Sequence, residues 1–384
     1  MRVLFVIDGL GTGGTERSLA EMLPGLRSRG LDVAVACLHA RSRGVEQSVR
    51  SGGISVSIVS GRTALGRARE LVQLIRRDRP DLVHSMIFDA NLAARLAAAR
   101  ASTPHVTSLV NTSYDPIRFS DPNIRPWRLR AIQAVDALSS RLTTHFHAVT
   151  RAVRDSAVRD LRLDPARITV IYRGRDVARL GEPSLERRLA VRRRLDLDLT
   201  APVVVSVGRQ EFQKGHEHLL RAFGKLLSSH SEARLLIAGR KGAATKQLER
   251  LVSDLALGSK VRLLGFRDDV PDLVAAADVF AFPSLFEGIG GAILEAMALG
   301  VPIVSSRLDG LAEVLTHEVD GLFVTPGDPD SLCAAISRVL SSEELASRLG
   351  LAARSTFADR FDLSRAVDRM IEMYQHVLHP GLER

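Results

Sequence analysis

Residues 282–300 read FPSLFEGIGGAILEAMALG, in which an apolar run ends at a glycine-rich loop and a second apolar run follows. The spacing predicts a strand that ends at Phe282, a loop, and a helix that begins near Gly290. Apart from Glu295 this helix carries no polar side chain, so we expect it to be buried on all sides. A carboxylate on such a helix needs a partner, because burying an unpaired charge is very costly.

A second carboxylate, Glu287, lies in the loop ahead of this predicted helix. Backbone N–H groups at a helix start have no partner inside the helix and attract phosphate groups. Glu287 beside them, and Glu295 deeper in the helix, can accept hydrogen bonds from the hydroxyls of a sugar and of a ribose. The stretch therefore fits a sugar nucleotide. An ordinary buried helix whose glutamate pairs with an arginine stays open as the alternative.

A glycine loop with two cations occurs earlier, where residues 205–215 read VSVGRQEFQKG. A predicted strand ends at Gly208, and Arg209 and Lys214 follow before the next predicted helix. From a loop, two such cations can converge on one pyrophosphate, and each hydrogen bond to a charged group contributes roughly 1.5–3 kcal/mol. The alternative, two surface charges, is weakened because only five residues of the chain are lysine.

Residues 8–17, DGLGTGGTER, form a third glycine-rich loop after the first predicted strand. Gly9, Gly11 and Gly14 match the dinucleotide fingerprint in form, but an NAD site also needs an acidic residue at the end of the second strand. That strand ends ACLH at residues 36–39, without a carboxylate. We therefore expect this loop to bring backbone N–H groups to a phosphate or a sugar.

Short apolar runs alternate with helix-like segments along the chain. Most runs are apolar on both faces, as expected of parallel strands covered by helices above and below. The pattern lapses before residue 202 and then restarts, which predicts an α/β protein of two doubly wound, Rossmann-like domains. We place the N-terminal domain at 1–178, a linker at 179–201, the C-terminal domain at 202–360 and a last helical segment at 361–384. The predicted strands are Val3–Ile7, Val33–Cys37, Val56–Val59, Leu82–His84, Val106–Leu109, Phe146–Val149, Ile168–Ile171, Val203–Val207, Leu235–Ala238, Val261–Leu264, Val279–Phe282, Ile303–Ser305 and Leu322–Val324.

Composition excludes several classes of protein. The 384 residues are 45% hydrophobic and 25% charged, a globular balance that suits two domains. Val3–Ile7 is too short for the apolar core of a signal peptide, and no stretch reaches the ~18 uncharged apolar residues that span a bilayer. Two cysteines, Cys37 and Cys333, make neither a zinc site nor a disulfide framework. We therefore expect a soluble, cytoplasmic protein.

The net charge is +9, from 53 basic and 44 acidic residues. No nucleic-acid motif accompanies this charge and aromatic residues make up only 4%, so no nucleic-acid partner is expected, whereas a peripheral membrane contact stays open. Two Asp-x-Asp matches, Asp196–Asp198 and Asp328–Asp330, fall in the predicted linker and at a predicted helix N-cap. No metal site is therefore predicted.

Together these stretches resemble glycosyltransferase family four, the large retaining group with the GT-B fold, over nearly the whole chain. The most specific part is the Glu-x7-Glu motif from Glu287 to Glu295. Support comes from residues 208–215, from Gly13-Gly14 with Glu16-Arg17, and from Asp81-Leu82-Val83-His84. The resemblance implies two domains that face each other across a cleft, with the acceptor on the N-terminal domain and the donor on the C-terminal one. It further implies that the last helix crosses back to the N-terminal domain, and that no cofactor is used.

The resemblance also implies roles for residues. Arg209 and Lys214 would bind the donor diphosphate, Glu287 the transferred sugar and Glu295 the ribose. The implied catalytic residues are Glu287, Arg209 and Lys214, with Asn111 near the position where family members often carry a histidine. The full implied donor set is Gly13, Gly14, Arg209, Lys214, Gly265, Phe266, Arg267, Glu287, Gly288, Ile289, Gly290, Gly291 and Glu295, in which 265–267 would contact the base.

Two departures from the family pattern concern the acceptor side. Family members often carry Thr-x-His at the end of an N-terminal strand, whereas residues 107–111 read TSLVN and leave Asn111 as the nearest candidate. The usual Pro-Asn-Gly-x-Asp turn reads YRGRD here, which makes Arg173 a candidate. The segment 111–128 is expected to recognise the acceptor or to act as a lid. The expected acceptor contacts are Asn111, Tyr114, Trp127 and Arg173.

The expected reaction is the transfer of a sugar, with retention of configuration, from a nucleotide diphosphate sugar to a hydroxyl of an acceptor such as a small metabolite or natural product. A UDP-linked sugar is the favoured donor. The alternatives are a sugar-nucleotide epimerase of similar fold, a sugar-nucleotide-binding protein without catalysis and, less favoured, an NAD dehydrogenase. The sugar, the acceptor and the oligomeric state stay open.

Overall fold

The computed structural model describes residues 1–380, so the end of the segment predicted at 361–384 lies outside the described residues. The chain divides into two compact units. The N-unit consists of residues 1–115, 124–175 and the described residues from Leu363 to residue 380. The C-unit consists of residues 116–123 and 176–362.

The N-unit contains a seven-stranded sheet in the order β3-β2-β1-β4-β5-β6-β7, and every pairing in it is parallel. The central strand β1 pairs with both β2 and β4, so that Phe5 lies opposite Val35 and His84. The strands are β1 Arg2–Ile7, β2 Asp32–Cys37, β3 Ser55–Ile58, β4 Leu82–Met86, β5 His105–Leu109, β6 His145–Ala148 and β7 Ile168–Val170.

Helices cover both faces of this sheet, because alternate residues of each strand point to opposite faces. Val3 and Phe5 of β1 belong to one buried cluster and Leu4 and Val6 to another. The helices between the strands are α1 Gly14–Ser28, α2 Glu46–Ser51, α3 Ala64–Asp78, α4 Phe88–Ala101, α5 Pro126–Ser139 and α6 Arg151–Leu161.

The C-unit contains a six-stranded parallel sheet in the order β10-β9-β8-β11-β12-β13. Its strands are β8 Val203–Val207, β9 Arg234–Ala238, β10 Val261–Gly265, β11 Val279–Phe282, β12 Ile303–Ser306 and β13 Leu322–Val324. Its helices are α7 Val177–Leu180, α8 Leu185–Arg194, α9 His216–Leu226, α10 Thr245–Asp254, α11 Val270–Ala275, α12 Gly291–Ala298, α13 Asp309–Ala312, α14 Pro329–Leu340 and α15 Glu343–Arg360. Strand order reverses between β1 and β4 in the N-unit and between β8 and β11 in the C-unit, and sheets of this kind bind ligands beyond the strand ends at such a point.

The last helix, α16 Leu363–Leu378, belongs to the N-unit. Its buried residues Val367, Met370, Met373 and Tyr374 lie in the same core cluster as Leu19 and Leu23 of α1. At the edge of this contact the Arg29 guanidinium forms an ion pair with Asp368 at 2.5 Å.

The predicted linker at 179–201 differs from the observed structure. It lies within the C-unit and contains the ten-residue helix α8. Arg187 forms an ion pair with Asp272 at 2.8 Å, and buried Arg192 forms one with Asp278 at 2.6 Å. Arginines of this charged run therefore fasten α8 to the C-unit. Residues 116–123, predicted within the N-terminal domain, also belong to the C-unit.

Candidate functional site

Two loops of the C-unit meet where the strand order reverses. One follows β8 and the other follows β11, and these strands are neighbours in the sheet. The Leu285 backbone N–H donates to the Gln213 carbonyl at 2.8 Å, and the Gln213 amide donates to the Phe286 carbonyl at 2.9 Å. Hydrogen bonds thus hold the two predicted donor stretches against each other.

Two glycines in these loops have no substitute that fits. Gly215 has φ +61°, and a Cβ atom there would lie 2.0 Å from the Pro283 carbonyl oxygen. Gly290 has φ +66°, and its Cβ would lie 3.1 Å from the Phe282 ring. Both backbones adopt the left-handed conformation and approach the neighbouring chain closely, which only glycine does without strain.

Lys214 and Glu287, one from each loop, form a direct ion pair. Their side chains are only 16% and 9% exposed. The Lys214 ammonium also lies 5.3 Å from the centroid of the Phe282 ring, and the Ser284 hydroxyl lies 3.4 Å from the Glu287 carboxylate. The structure thus brings a cation and a carboxylate together at one poorly hydrated place, where a phosphate and a hydroxyl could be held side by side.

The helix α12 begins beside this pair, at Gly291, and none of the described side chains caps it. Its residues from Ile293 to Ala298 are buried, which confirms the prediction of a helix buried on all sides. Glu295 lies within it and is 8% exposed, and the preceding Ile289 is 1% exposed. An uncapped helix start next to a lysine suits an anion.

The other predicted donor residues lie at the ends of β8 and β10. Arg209 is exposed, unlike Lys214. The Gly239 backbone N–H donates to the Gly265 carbonyl at 2.8 Å, which places residue 265 beside the end of β9. The next two residues are Phe266, 38% exposed, and Arg267, whose guanidinium binds Asp269 at 2.6 Å. An exposed aromatic ring here offers a surface on which a flat base could stack.

The N-unit carries the first glycine loop at its own reversal of strand order. Gly13 is the N-cap of α1, and no described side chain caps that helix. Asp8, the residue directly after β1, accepts a hydrogen bond from the Ala90 backbone N–H at 3.0 Å. Burial, reinforced by the nearby Asp89 carboxylate, raises the pKa of Asp8 to about 6. The sequence did not single out Asp8, because the shift arises from burial and from Asp89, far away in the sequence.

A small pocket of about 50 Å³, part of it open to solvent, lies in the N-unit. Its walls are mostly apolar, and its polar groups include Arg173, whose guanidinium donates to the Thr15 hydroxyl at 3.2 Å. The lining residues are Thr15, Ser18, Leu19, Met22, Met86, Ser108, Val110, His147, Val149, Ile171, Tyr172, Arg173, Gly174, Leu363, Ala366 and Met370. They come from α1, α16 and the ends of strands β4 to β7 and the residues that follow, so no single motif marks the pocket in the sequence.

A buried chain of hydrogen bonds runs beneath this pocket. It links the Tyr374 hydroxyl to His84 Nδ1 (2.6 Å), His84 Nε2 to the Ser108 hydroxyl (2.7 Å), that hydroxyl to His147 Nδ1 (2.9 Å), and His147 Nε2 to the Ile171 carbonyl (3.0 Å). A carbonyl only accepts, so His147 must donate from Nε2 and accept at Nδ1. Each earlier link follows: Ser108 donates to His147, His84 donates from Nε2 to Ser108, and Tyr374 donates to His84.

Both histidines of this chain are neutral. Burial, with the nearby His147 and His105, lowers the pKa of His84 well below its ordinary value. Burial also lowers the pKa of His147 to about 4, although its hydrogen bond to the Ile171 carbonyl opposes this change. At neutral pH this series of hydrogen bonds therefore has a single arrangement of protons.

Of the four expected acceptor contacts, only Arg173 lines the pocket. Asn111 is half-buried, and its side-chain oxygen accepts a hydrogen bond from the Thr112 backbone N–H at 2.9 Å. Tyr114 is 7% exposed and donates to Asp136 at 2.8 Å, whereas Trp127 on α5 is 62% exposed. Tyr114 thus has a structural partner of its own, and Trp127 lies on an open helix surface.

The aspartates of the two Asp-x-Asp matches form local hydrogen bonds that stabilise the backbone. Asp198 accepts a hydrogen bond from the Thr200 backbone N–H at 2.8 Å, and Asp328 caps α14. Within residues 1–380, no three His, Cys, Asp or Glu side chains are grouped so that they could hold a metal ion.

Burial raises the pKa of Cys37 to about 12, so its thiol is unreactive at neutral pH. None of the described helices combines the length and the apolar character needed to cross a bilayer.

Two Rossmann-like units, with a lysine–glutamate pair and an uncapped helix start at a reversal of strand order, are typical of nucleotide-binding α/β proteins. Sequence comparison makes this class more specific. The model "Glycosyl transferases group 1" matches residues 188–356, and the model "Glycosyltransferase Family 4" matches residues 12–179. The chain belongs to the group 1 glycosyltransferases of family four and has their GT-B fold, as the sequence predicts.

Individual relatives agree with this assignment. An uncharacterized glycosyltransferase of Methanocaldococcus jannaschii is 35% identical over 55% of this chain and 55% of its own length, so the match spans about half of that protein. A UDP-Gal:alpha-D-GlcNAc-diphosphoundecaprenol alpha-1,3-galactosyltransferase of Escherichia coli is 25% identical over 79% of this chain and 77% of its own. The crystal structure of Anabaena HepE in complex with UDP-glucose superimposes with a TM-score of 0.87, at 23% identity, over 98% of this chain and 99% of that one.

Proposed function

We propose that this protein transfers a sugar from a UDP-sugar to a hydroxyl of an acceptor. The observation that carries the proposal is the contact between Lys214 and Glu287 at the uncapped start of α12. Lys214 and the helix N–H groups would hold the diphosphate, and Glu287 would hold hydroxyls of the sugar. A UDP-linked donor is supported by the E. coli relative, whose name states UDP-Gal, and by the UDP-glucose in the Anabaena structure.

The remaining donor contacts are proposed as the sequence predicts them. Arg209 would reach the diphosphate from the rim, and buried Glu295 would bind the ribose. Backbone groups at 288–291 would contact the sugar phosphate, and residues 265–267 the base. Gly13 and Gly14 would offer N–H groups from the N-unit.

We infer that transfer proceeds with retention of configuration and without a metal ion. In this mechanism the acceptor hydroxyl attacks the anomeric carbon from the side of the departing phosphate, and the phosphate oxygen takes the hydroxyl proton. The bond from the anomeric carbon to the phosphate oxygen breaks as the new bond to the acceptor forms. Lys214, Arg209 and the helix start would neutralise the charge that develops on the diphosphate.

The acceptor is proposed to bind the N-unit, where Arg173 lines a largely apolar pocket and Asn111 follows β5. Tyr114 is buried against Asp136, which favours a structural role, and Trp127 lies on an exposed helix surface outside the pocket. Neither residue is therefore included in the proposed acceptor site. A cytoplasmic location is supported by two unpaired cysteines.

Donor binding tests the assignment. We expect Lys214→Met to weaken UDP binding roughly 10- to 150-fold, which corresponds to the roughly 1.5–3 kcal/mol of a hydrogen bond to a charged group. Lys225→Met is the matched control, because Lys225 is 53% exposed and pairs with Asp330 elsewhere on the C-unit. Arg209→Gln adds a variant at an exposed position, where folding is not at risk. Equal UDP affinity in all four proteins by titration calorimetry would reject the site.

Product analysis separates the transferase from its alternatives. Conversion of UDP-glucose or UDP-galactose into another sugar nucleotide without an acceptor would identify an epimerase. Tight donor binding without release of UDP, in the presence of a panel of acceptors, would identify a binding protein. Release of UDP that depends on an acceptor, lost in Glu287→Gln, is the expected result.

A further inference from the structure

The outer surface of α5 and the turn after it carries an unusual concentration of exposed apolar side chains. Of the thirteen large hydrophobic residues exposed within the described chain, five lie in the sixteen residues from 127 to 142. We call this surface the α5 face. Its apolar members are Trp127 (62% exposed), Ile132 (41%), Val135 (43%), Leu138 (66%) and Leu142 (42%).

The opposite side of α5 is fastened to the N-unit. Leu129 is 3% exposed, and Asp136 is buried and forms an ion pair at 2.5 Å with Arg95, which is fully buried. The Gln133 amide donates to the Asp160 carbonyl of α6 at 2.9 Å. Trp127, Val135 and Leu138 recur at helical spacing on the outer side. The helix thus has a second apolar side, which packing within the N-unit does not use.

Charges of one sign flank this apolar surface. Residues 124–142 contain four arginines, all exposed, at positions 125, 128, 130 and 141. Their single acidic residue, Asp136, is buried and paired with Arg95. The Arg128 guanidinium lies 5.3 Å from the centroid of the Trp127 ring. The segment therefore carries exposed arginines together with its exposed apolar side chains.

We propose that the α5 face binds the surface of an anionic lipid bilayer. A helix with tryptophan and aliphatic residues on one side and arginines beside them lies in the membrane interface, where its apolar side enters the boundary between headgroups and acyl chains. Tryptophan prefers this depth, and arginines are attracted to anionic headgroups. A second copy of the chain fits less well, because a symmetric contact would bring the same arginines together. The proposal does not depend on the proposed function, since it uses none of the donor residues.

The chain reports on this contact without a label, because Trp127 is its only tryptophan. Full-length protein is mixed with vesicles of phosphatidylcholine alone or of phosphatidylcholine with phosphatidylglycerol. We expect the tryptophan emission to shift to shorter wavelength, and the protein to sediment, only with the anionic vesicles. High salt should reverse sedimentation, because salt screens charges at a surface.

Variants with matched controls separate the α5 face from unspecific binding. Val135→Gln with Leu138→Gln removes two exposed apolar contacts and should weaken vesicle binding about ten-fold or more. Leu351→Gln, at a position 69% exposed on α15, should leave it unchanged. Arg141→Gln should weaken binding about five-fold, from the contribution of one arginine near an anionic surface. The charge control is Arg193→Gln, at an exposed position on α8.

Three results would overturn the proposal. One is an unchanged emission spectrum with anionic vesicles, and a second is full binding by the Val135/Leu138 variant. The third is self-association in the absence of lipid that Leu138→Gln abolishes, which would assign the face to a second copy. UDP affinity measured on the same proteins keeps this test separate from the donor site, because none of these substitutions touches the C-unit loops.

Discussion

Removal of one hydroxyl, by Tyr374→Phe, should destabilise the N-unit. The hydroxyl donates to His84 Nδ1 at 2.6 Å, and both side chains are fully buried. Phenylalanine fills the same space, so the loss is not that of a cavity but that of a buried acceptor left without a donor. Such a loss costs about 1–3 kcal/mol. In a unit of roughly 190 residues this corresponds to a fall of roughly 2–12 °C in the unfolding temperature.

Calorimetry of wild type and Tyr374→Phe at pH 7.5 measures this difference. Nitrogen-15 spectra of the histidines test its cause, because the direction of the chain requires the proton of His84 and of His147 to be on Nε2. A proton on Nδ1 of either ring would contradict the derived direction. A change in stability below about 0.5 kcal/mol would also refute the reasoning, because it would mean that His84 Nδ1 loses its buried hydrogen bond at no cost.

Three further predictions concern pH and backbone. Burial lowers the pKa of His105 to about 3 and that of His147 to about 4. Folding stability is therefore unaffected by these two histidines above pH 6.5 and falls below it, by about 1.4 kcal/mol for each at pH 5.5. Urea unfolding at pH 7.5 and pH 5.5 should detect this loss. Gly215→Ala should destabilise the C-unit by more than about 2 kcal/mol in urea unfolding, because it combines backbone strain with a clash against the Pro283 carbonyl. Gly258→Ala is the control: its Cβ meets nothing within 4 Å, so the free energy of unfolding should not change. Asp8→Asn should stabilise the protein at pH 7, because the raised pKa of about 6 means that the ionised form is penalised in the folded state. The gain should shrink as the pH falls below about 6 and be nearly absent below the ordinary pKa of 3.8.

The strands were predictable from the sequence because most are short, largely apolar runs bounded by polar or glycine residues. Residues 1–380 contain thirteen strands, and every predicted strand overlaps an observed one. At α8, LERRLAVRRR, the sequence predicts part of a linker, whereas the structure has a helix that belongs to the C-unit. Its order comes from Asp272 and Asp278, which lie about eighty residues further along the chain. Local charge density alone does not reveal a partner at that separation.

The C-unit loops and the N-unit pocket differ in how far the sequence can describe them, and the difference has a physical origin. Lys214 and Glu287 each follow the end of a strand, and β8 and β11 are neighbours in the sheet, so the topology brings two short motifs together. The N-unit pocket has no such motif: it combines α1 and α16 with the ends of strands β4 to β7 and the residues that follow.

Its buried floor depends on contacts that span most of the chain, such as that between His84 and Tyr374, 290 residues apart. The polar groups of that floor form a series of hydrogen bonds, and the Ile171 carbonyl at the end of this series fixes the positions of their protons. Ser108 and His147 are therefore held in place before any acceptor binds, and Arg173 is the charged side chain of the pocket that an acceptor would meet. Substitution of Arg173 by Gln should accordingly change the KM for the acceptor and leave UDP affinity unchanged, and a loss of UDP affinity in that variant would show that the pocket does not act on the acceptor alone.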